Sequence, residues 1–181
     1  MPERVYIGLG GNIGNVPASF AEAISALRAL PGITEVRVSS MWESTPVGPF
    51  PAQPRFLNAC AELTFAAGEE PRPAQLLWWL LDIEGSLGRD RGKERRGGPR
   101  PIDLDILAWG SRVIDDSGPP EVVVPHPRLH QRAFALAPLV ELAGEDLVIP
   151  GPSGGRAGDL LAASLLGVGQ EVRKITPTTT V

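Results

Sequence analysis

The glycines and prolines of this chain are bunched, and where they bunch neither a helix nor a central strand can run. There are 21 glycines and 19 prolines in 181 residues. The densest bunch, Pro46 to Pro54, holds four prolines in nine residues. With φ fixed and four N–H donors missing, it reads as a stiff, extended surface loop. A second bunch, Gly88 to Pro101, is basic and glycine-bearing, and also reads as a loop.

The runs between these loops are periodic. Val5, Ile7 and Leu9 alternate with Arg4, Tyr6 and Gly8, which predicts a strand followed by a tight turn over Gly8–Gly14. Phe20, Ala23, Ile24, Leu27 and Leu30 recur at helical spacing until Pro31-Gly32. Alternation over Ile33–Glu43 and again over Phe56–Phe65 predicts two more strands. Pro73 opens a helix with the stripe Leu76, Leu77, Leu80, Ile83, Glu84 and Leu87, and Ile102–Trp109 reads as a fourth strand. The order β-α-β-β-α-β predicts an α+β, ferredoxin-like sandwich: an antiparallel sheet flanked by helices, with long catalytic loops. Further on come a turn at 115–118, a short extended Val122–Val124, and helices over Arg132–Leu142 and Asp159–Leu166. With no internal repeat and no linker, residues 1–181 read as one domain. Residues 151–181 form an extension without a readable motif.

Composition narrows the function classes. A net charge of -4 argues against a general nucleic-acid binder, whose domain is normally basic. Cys60 is the single cysteine, so neither a disulfide framework nor a cysteine zinc site can form, which fits a reducing compartment. No run approaches the roughly 20 apolar residues of a membrane span, and the N-terminus has no apolar signal core. A soluble cytoplasmic protein is expected.

Three constellations carry chemistry. Asp103 and Asp105 alternate with Ile102, Leu104 and Ile106, so both carboxylates project from one strand face, their Cα atoms about 7 Å apart. Paired aspartates inside a strand need a reason, and oxygen-only ligands favour Mg²⁺ shared with substrate phosphates. Just upstream, Arg89, Arg91, Lys93, Arg95, Arg96 and Arg100 place six cations in twelve residues. Acids that hold metal beside an arginine loop are what phosphoryl transfer requires. In Val124–Phe134, His126 sits between two prolines, and Arg132 and Phe134 lie where the next helix begins. These could hold phosphate oxygens and offer a stacking face. On the third strand Phe56 and Asn58 share a face suited to a flat heteroaromatic ring, the phenyl stacking and the amide reading its edge. The glycines near the N-terminus lack the spacing of a dinucleotide fingerprint.

In this order the pieces resemble the 6-hydroxymethyl-7,8-dihydropterin pyrophosphokinase family of folate biosynthesis. The matching stretches are Gly8-Leu-Gly-Gly-Asn-Ile-Gly14, Ser44-Thr-Pro-Val-Gly-Pro49, Phe56-Leu-Asn58, Ile83-Glu84 with Gly88-Arg-Asp-Arg91, Gly98 to Ile106, and Val124-Pro-His-Pro-Arg128. The resemblance implies transfer of pyrophosphate from the co-substrate ATP to the pterin hydroxymethyl group, with release of AMP. It implies two Mg²⁺ ions on Asp103 and Asp105, with Arg89 and Arg100 beside them as catalytic arginines. It further implies a nucleotide site of Glu84, Arg91, Arg100, Ile106, His126 and Arg132. The implied pterin site is Ser44, Val47, Phe56, Asn58 and Phe134. The expected partners are these two small molecules, with no nucleic acid and no membrane, and the enzyme is expected to be a monomer. Two positions depart from the family pattern. Arg95-Arg96-Gly97-Gly98 is one residue longer and lacks the tryptophan often found before Gly-Pro-Arg, and Leu81 stands where a glutamine can contact adenine.

Two other classes compete. A nucleotide- or RNA-binding module of the same fold would show a basic face and aromatic pairs on central strands. A Mg-dependent phosphohydrolase would have no use for the Phe56, Asn58 and Phe134 pocket.

Overall fold

The computed structural model describes residues 3–95, 97–167 and 170–175. Arg96 of the basic run lies outside these residues, as does the chain from 176 onward. The central sheet has six strands, and every pairing in it is antiparallel. Its members are β1 (Arg4–Gly11), β2 (Ile33–Val38), β3 (Trp42–Ser44), β4 (Phe56–Phe65), β5 (Asp103–Trp109) and β10 (Val172–Lys174). The order across it is β10-β3-β4-β1-β5, with β2 also pairing with β4.

Helices α1 (Val16–Arg28) and α2 (Pro73–Ser86) cover one face. Both begin as their sequences demand. The Asn15 side chain accepts the Ala18 N–H at 3.2 Å at the start of α1, and each helix has a proline in its first turn. Against this pair pack Val5, Ile7, Leu9, Leu63, Phe65, Leu104 and Ile106, the apolar half of each alternation. Helices α3 (Ala133–Ala143) and α4 (Ala157–Leu165) complete the molecule, and Leu136, Leu139 and Ala157 pack on Tyr6, Cys60 and Leu107 of the other face. Short ribbons β6 (Ile114–Asp116) with β7 (Val122–Val124), and β8 (Val148–Ile149) with β9 (Gly155–Arg156), lie outside the main sheet.

Three expectations are corrected. The expected strand Ile33–Glu43 is broken into β2 and β3. Val38 pairs with Ala61 and Trp42 with Asn58, so four steps on one strand face three on the other, which is a one-residue bulge. Residues at the break turn outward to α3, where Glu141 accepts from the Ser40 hydroxyl at 2.7 Å and the Trp42 indole at 2.7 Å. The turn assigned to Gly8–Gly14 begins only after Gly11, because β1 is central and pairs with β4 and β5 on its two sides. Asp115 and Asp116, placed in a turn by their sequence, pair with Val123 and Val122.

Candidate active site

The site lies on the α3 face of the sheet, at the end where β1, β4 and β5 present their polar alternates. Asp103 and Asp105 stand opposite Gly10 and Gly8 of β1, and those glycines stand opposite Asn58 and Cys60 of β4. Two glycines in the middle strand therefore leave an open floor between the aspartates and Asn58. A Cβ on Gly8 would meet the Leu107 side chain of β5 at 3.0 Å, and one on Gly10 would stand 3.7 Å from Asn58 Oδ1 and 3.9 Å from Asp103 Cβ. Both glycines fall in the run Gly8–Gly14 that the sequence reads as a tight turn, not as a strand that floors the site. Their signal is that they occupy the outward beats of a period-two run whose inward beats are Ile7 and Leu9.

Glu84, fully buried near the end of α2, anchors this end of the sheet. Its Oε1 accepts the Leu104 N–H at 2.7 Å and Arg89 Nη1 at 2.8 Å. Its Oε2 accepts Arg91 Nε at 2.9 Å and Nη2 at 2.7 Å. Burial pushes this carboxyl above the usual range, against the pull of the Leu104 N–H and of Arg89. The Arg89 side chain is itself buried, pairing with Glu94 at 3.0 Å and also with Asp103. Burial disfavours its charge, but Asp103 with Glu84 and Glu94 outweighs burial, so the guanidinium is held charged.

The aspartates differ in their surroundings. Burial alone would raise the Asp103 carboxyl, but Arg100, Arg89 and Arg91 together hold it below the usual range. Asp105 is raised, first by burial and then by the charge of Asp103, with Arg132 at 3.2 Å opposing. His126 is pushed down to about 4 by burial and by Arg132 and Arg128, so its ring is neutral. Its Nδ1 accepts the Arg128 N–H at 3.1 Å, which leaves the proton on Nε2, 3.9 Å from Asp105.

Two cavities meet here. A cleft of about 390 Å³ is lined by Arg89, Arg91, Arg95, Arg100, Arg128 and Arg132, with Glu94, both aspartates and His126. Six guanidinium groups against three carboxylates make a receptor for a polyanion. Arg100 presents a buried Nε with no hydrogen-bond partner among the described residues, a donor waiting for an acceptor. The second cavity is lined by Ser44, Thr45, Val47, Phe56, Asn58 and Phe134, with Gly10, Arg100 and Asp103. All five residues expected to hold the heteroaromatic ring therefore line one pocket. Arg100 stacks over Phe56 at 5.4 Å and Arg132 over Phe134 at 5.6 Å, so each aromatic wall carries a cation.

Two residues expected in the nucleotide site, Glu84 and Ile106, are not among those that line the cleft. Glu84 is spent on Leu104 and the loop arginines, and Ile106 is buried in the α1/α2 core. Arg128 lines the cleft although its sequence gave no separate sign of it. Asn12 and Gln53 were missed as well. Asn12 accepts the Arg100 N–H at 2.9 Å and donates to Gln53 Oε1 and to the Pro54 carbonyl, each at 3.0 Å. Gln53 in turn donates to the Gly97 carbonyl at 3.0 Å. These bonds staple the proline loop to the basic loop.

The carboxylate pair fits a divalent cation. Both side chains keep part of their surface toward the cleft, at 20% and 35% exposure. Among the described residues no third carboxylate, histidine or cysteine joins them into a protein cage. An ion held there would complete its shell with water and substrate phosphate, as Mg²⁺ does.

An acidic pair in an arginine-lined cleft, opening on an aromatic pocket, defines a phosphoryl-transfer enzyme that works on an α+β sheet. Residues 6–144 match the family described as 7,8-dihydro-6-hydroxymethylpterin-pyrophosphokinase (HPPK), and the chain belongs to that family. It is 45% identical over 149 residues to a 2-amino-4-hydroxy-6-hydroxymethyldihydropteridine pyrophosphokinase of Methylorubrum extorquens, covering 82% of this chain and 87% of that one. The Pseudomonas aeruginosa protein of the same name is 40% identical over 163 residues, covering 90% and 93%. Among solved structures, an HPPK-DHPS in complex with substrates superposes with a TM-score of 0.60 at 11% identity, over 90% of this chain. A Plasmodium falciparum HPPK-DHPS triple mutant gives 0.61 at the same identity. That likeness is one of fold, and this chain spans less than half the length of either, 43% and 44%.

Proposed function

We infer that the protein transfers the pyrophosphoryl group of Mg-ATP to the hydroxymethyl oxygen of 6-hydroxymethyl-7,8-dihydropterin and releases AMP. The observation that carries this reading is the junction of the two cavities: Asp103 and Arg100 line both. A phosphate chain in the arginine cleft and a ring between Phe56 and Phe134 would meet at those two side chains. That is the arrangement an in-line displacement needs. Arg89, Arg91, Arg100 and Arg132 neutralise the phosphates, and the neutral His126 Nε2–H donates to a phosphate oxygen. Asn58 and the backbone of Ser44 and Val47 read the pterin edge. Asp103 and Asp105 would hold the Mg²⁺ ions, two on this reading, and the metal would supply positive charge against the phosphates and lower repulsion toward the incoming hydroxyl. Glu84 acts through Arg89, Arg91 and β5, as a positioning residue.

The antiparallel sheet order β5-β1-β4 with β2 and β3 beyond supports the ferredoxin-like reading of the fold. The same reading takes residues 1–181 as one domain, acting as a cytoplasmic monomer. Among the described residues no helix is long and apolar enough to cross a membrane.

Incubation with ATP, Mg²⁺ and the pterin, followed by separation of nucleotides, tests the reaction. Pterin-dependent AMP without ADP is the expected product pattern. ADP, or phosphate released without pterin, would contradict it.

A further inference from the structure

The extension beyond residue 150 carries no recognisable motif, yet two of its consecutive residues hold opposite walls of the aromatic pocket. Arg132 forms the N-terminal boundary of α3, and its side chain does not cap the helix. Gln170 does the capping from a distance of 37 residues, its Oε1 accepting the Ala133 N–H at 2.9 Å. Its Nε2 donates to the Gln131 carbonyl at 2.7 Å. One amide thus grips the backbone on both sides of Arg132, the residue that reaches Asp105 and stacks over Phe134.

The next residue grips the other wall. The Glu171 N–H donates to Thr45 Oγ1 at 3.1 Å, and its carbonyl accepts the Thr45 N–H at 3.1 Å. Its carboxylate takes two bonds from Arg55, at 3.2 and 3.1 Å, beside Phe56. From there β10 runs antiparallel to β3, Val172 opposite Ser44 and Lys174 opposite Trp42. Ser44 is buried and accepts Asn58 Nδ2 at 2.9 Å.

We propose that residues 170–174 are a strap that sets the gap between the α3 wall and the β3–β4 wall of the pterin pocket. Gln170 is its positioning residue for Arg132 and Phe134. The proposal rests on the pterin reading of that pocket. Removing the Gln170 amide frees the first turn of α3, so Phe134 and Arg132 lose their fixed distance from Phe56. The polyphosphate cleft keeps its other five arginines, so pterin binding suffers more than ATP binding.

The test compares the unmodified chain with Gln170→Ala, Gln170→Glu and Lys174→Ala, reading KM for pterin, KM for ATP, pterin affinity by fluorescence titration, and Tm. Gln170→Ala raises the pterin KM and Kd about three- to tenfold, the worth of one to two side-chain bonds, and moves the ATP KM by less than about twofold. Gln170→Glu keeps the acceptor at the helix N-terminus and recovers about half of that loss on a logarithmic scale. Lys174→Ala, at the far end of the same strand, lowers Tm without changing the pterin KM. The strap is overturned if Gln170→Ala keeps its pterin KM within about twofold of the parent, or if it and Lys174→Ala raise that KM alike. An unmodified chain that neither binds nor turns over the pterin would overturn the underlying reading, and the strap with it.

Discussion

Glu84 Oε1 at the end of α2 accepts the Leu104 N–H at 2.7 Å, and Leu104 lies between the two aspartates of the site. One buried carboxylate therefore fixes the strand that carries Asp103 and Asp105 and, through Arg89 and Arg91, the loop that faces them. Glu84→Ala leaves the buried Leu104 N–H without its acceptor and Arg89 with only Asp103 and Glu94, which costs about 1–3 kcal/mol of stability. Glu84→Gln keeps an acceptor for Leu104 while releasing the arginines. It is expected to stay folded in a thermal melt, with kcat reduced at least about tenfold, or about 1.4 kcal/mol. A kcat unchanged in Glu84→Gln would remove Glu84 from the positioning of the loop.

The aspartates themselves are expected to be indispensable. Asp103→Ala and Asp105→Ala each lower kcat by at least about 10²–10³-fold, the scale of losing one preorganised electrostatic group, while circular dichroism keeps its native form. Activity retained in both variants would sink the metal assignment.

The two aromatic walls predict a split between the substrates. Phe56→Ala and Phe134→Ala each remove about 0.5–1.5 kcal/mol of ring contact beyond buried area, so the pterin KM rises at least about two- to tenfold. The ATP KM should move much less. Equal losses for both substrates would mean that the rings do not form the acceptor pocket.

The staple between loops makes a different prediction. Asn12 is buried, and Asn12→Ala leaves the Arg100 N–H and the Gln53 amide short of partners, at about 1–3 kcal/mol. The Tm should fall, and kcat should fall with it, because Arg100 is no longer tied to the proline loop. Gln53→Ala, which also cuts the bond to Gly97, should give the same direction of change.

Acid stability is expected to report on Glu141, at the other end of α3. Its carboxyl accepts from Lys174 at 2.9 Å, from Ser40 and from Trp42, and these bonds hold it down at about 2 despite some burial. The unfolded carboxyl takes up its proton near 4.5, so between those two values the unfolded state binds more protons. Stability from this group is therefore present above about pH 4.5 and is lost as pH falls toward about 2. Because the group is partly exposed, salt weakens the contribution. Urea unfolding of Glu141→Gln should show a shallower loss over that window than the parent, and an identical slope would refute the assignment.

Much of this site was legible because its chemistry sits in periodic strands. The alternation that buries Leu104 and Ile106 also fixes Asp103 and Asp105 on the opposite face, so one pattern gave both fold and site. The glycines of β1 misled because glycine usually punctuates, whereas Gly8 and Gly10 here continue a strand and vacate its outer face. The bulge between β2 and β3 was hidden because the alternation from Ile33 onward contains no glycine or proline to mark one extra residue. Glu84 sits within an apolar helical stripe, which signals a buried acid but not its partners. The Asn12–Gln53 and Gln170–Ala133 bonds span 41 and 37 residues, and no local pattern encodes such contacts. Strand β10 has three residues, Val-Arg-Lys, too few to show a period.

The most direct measurement follows the phosphorus itself, using ATP labelled at its β-phosphorus, with Mg²⁺ and 6-hydroxymethyl-7,8-dihydropterin. The account predicts that the label leaves the nucleotide and appears on the pterin with the γ-phosphate still attached, while AMP accumulates in equal amount. Label remaining in ADP, or released as free pyrophosphate without the pterin, would contradict it.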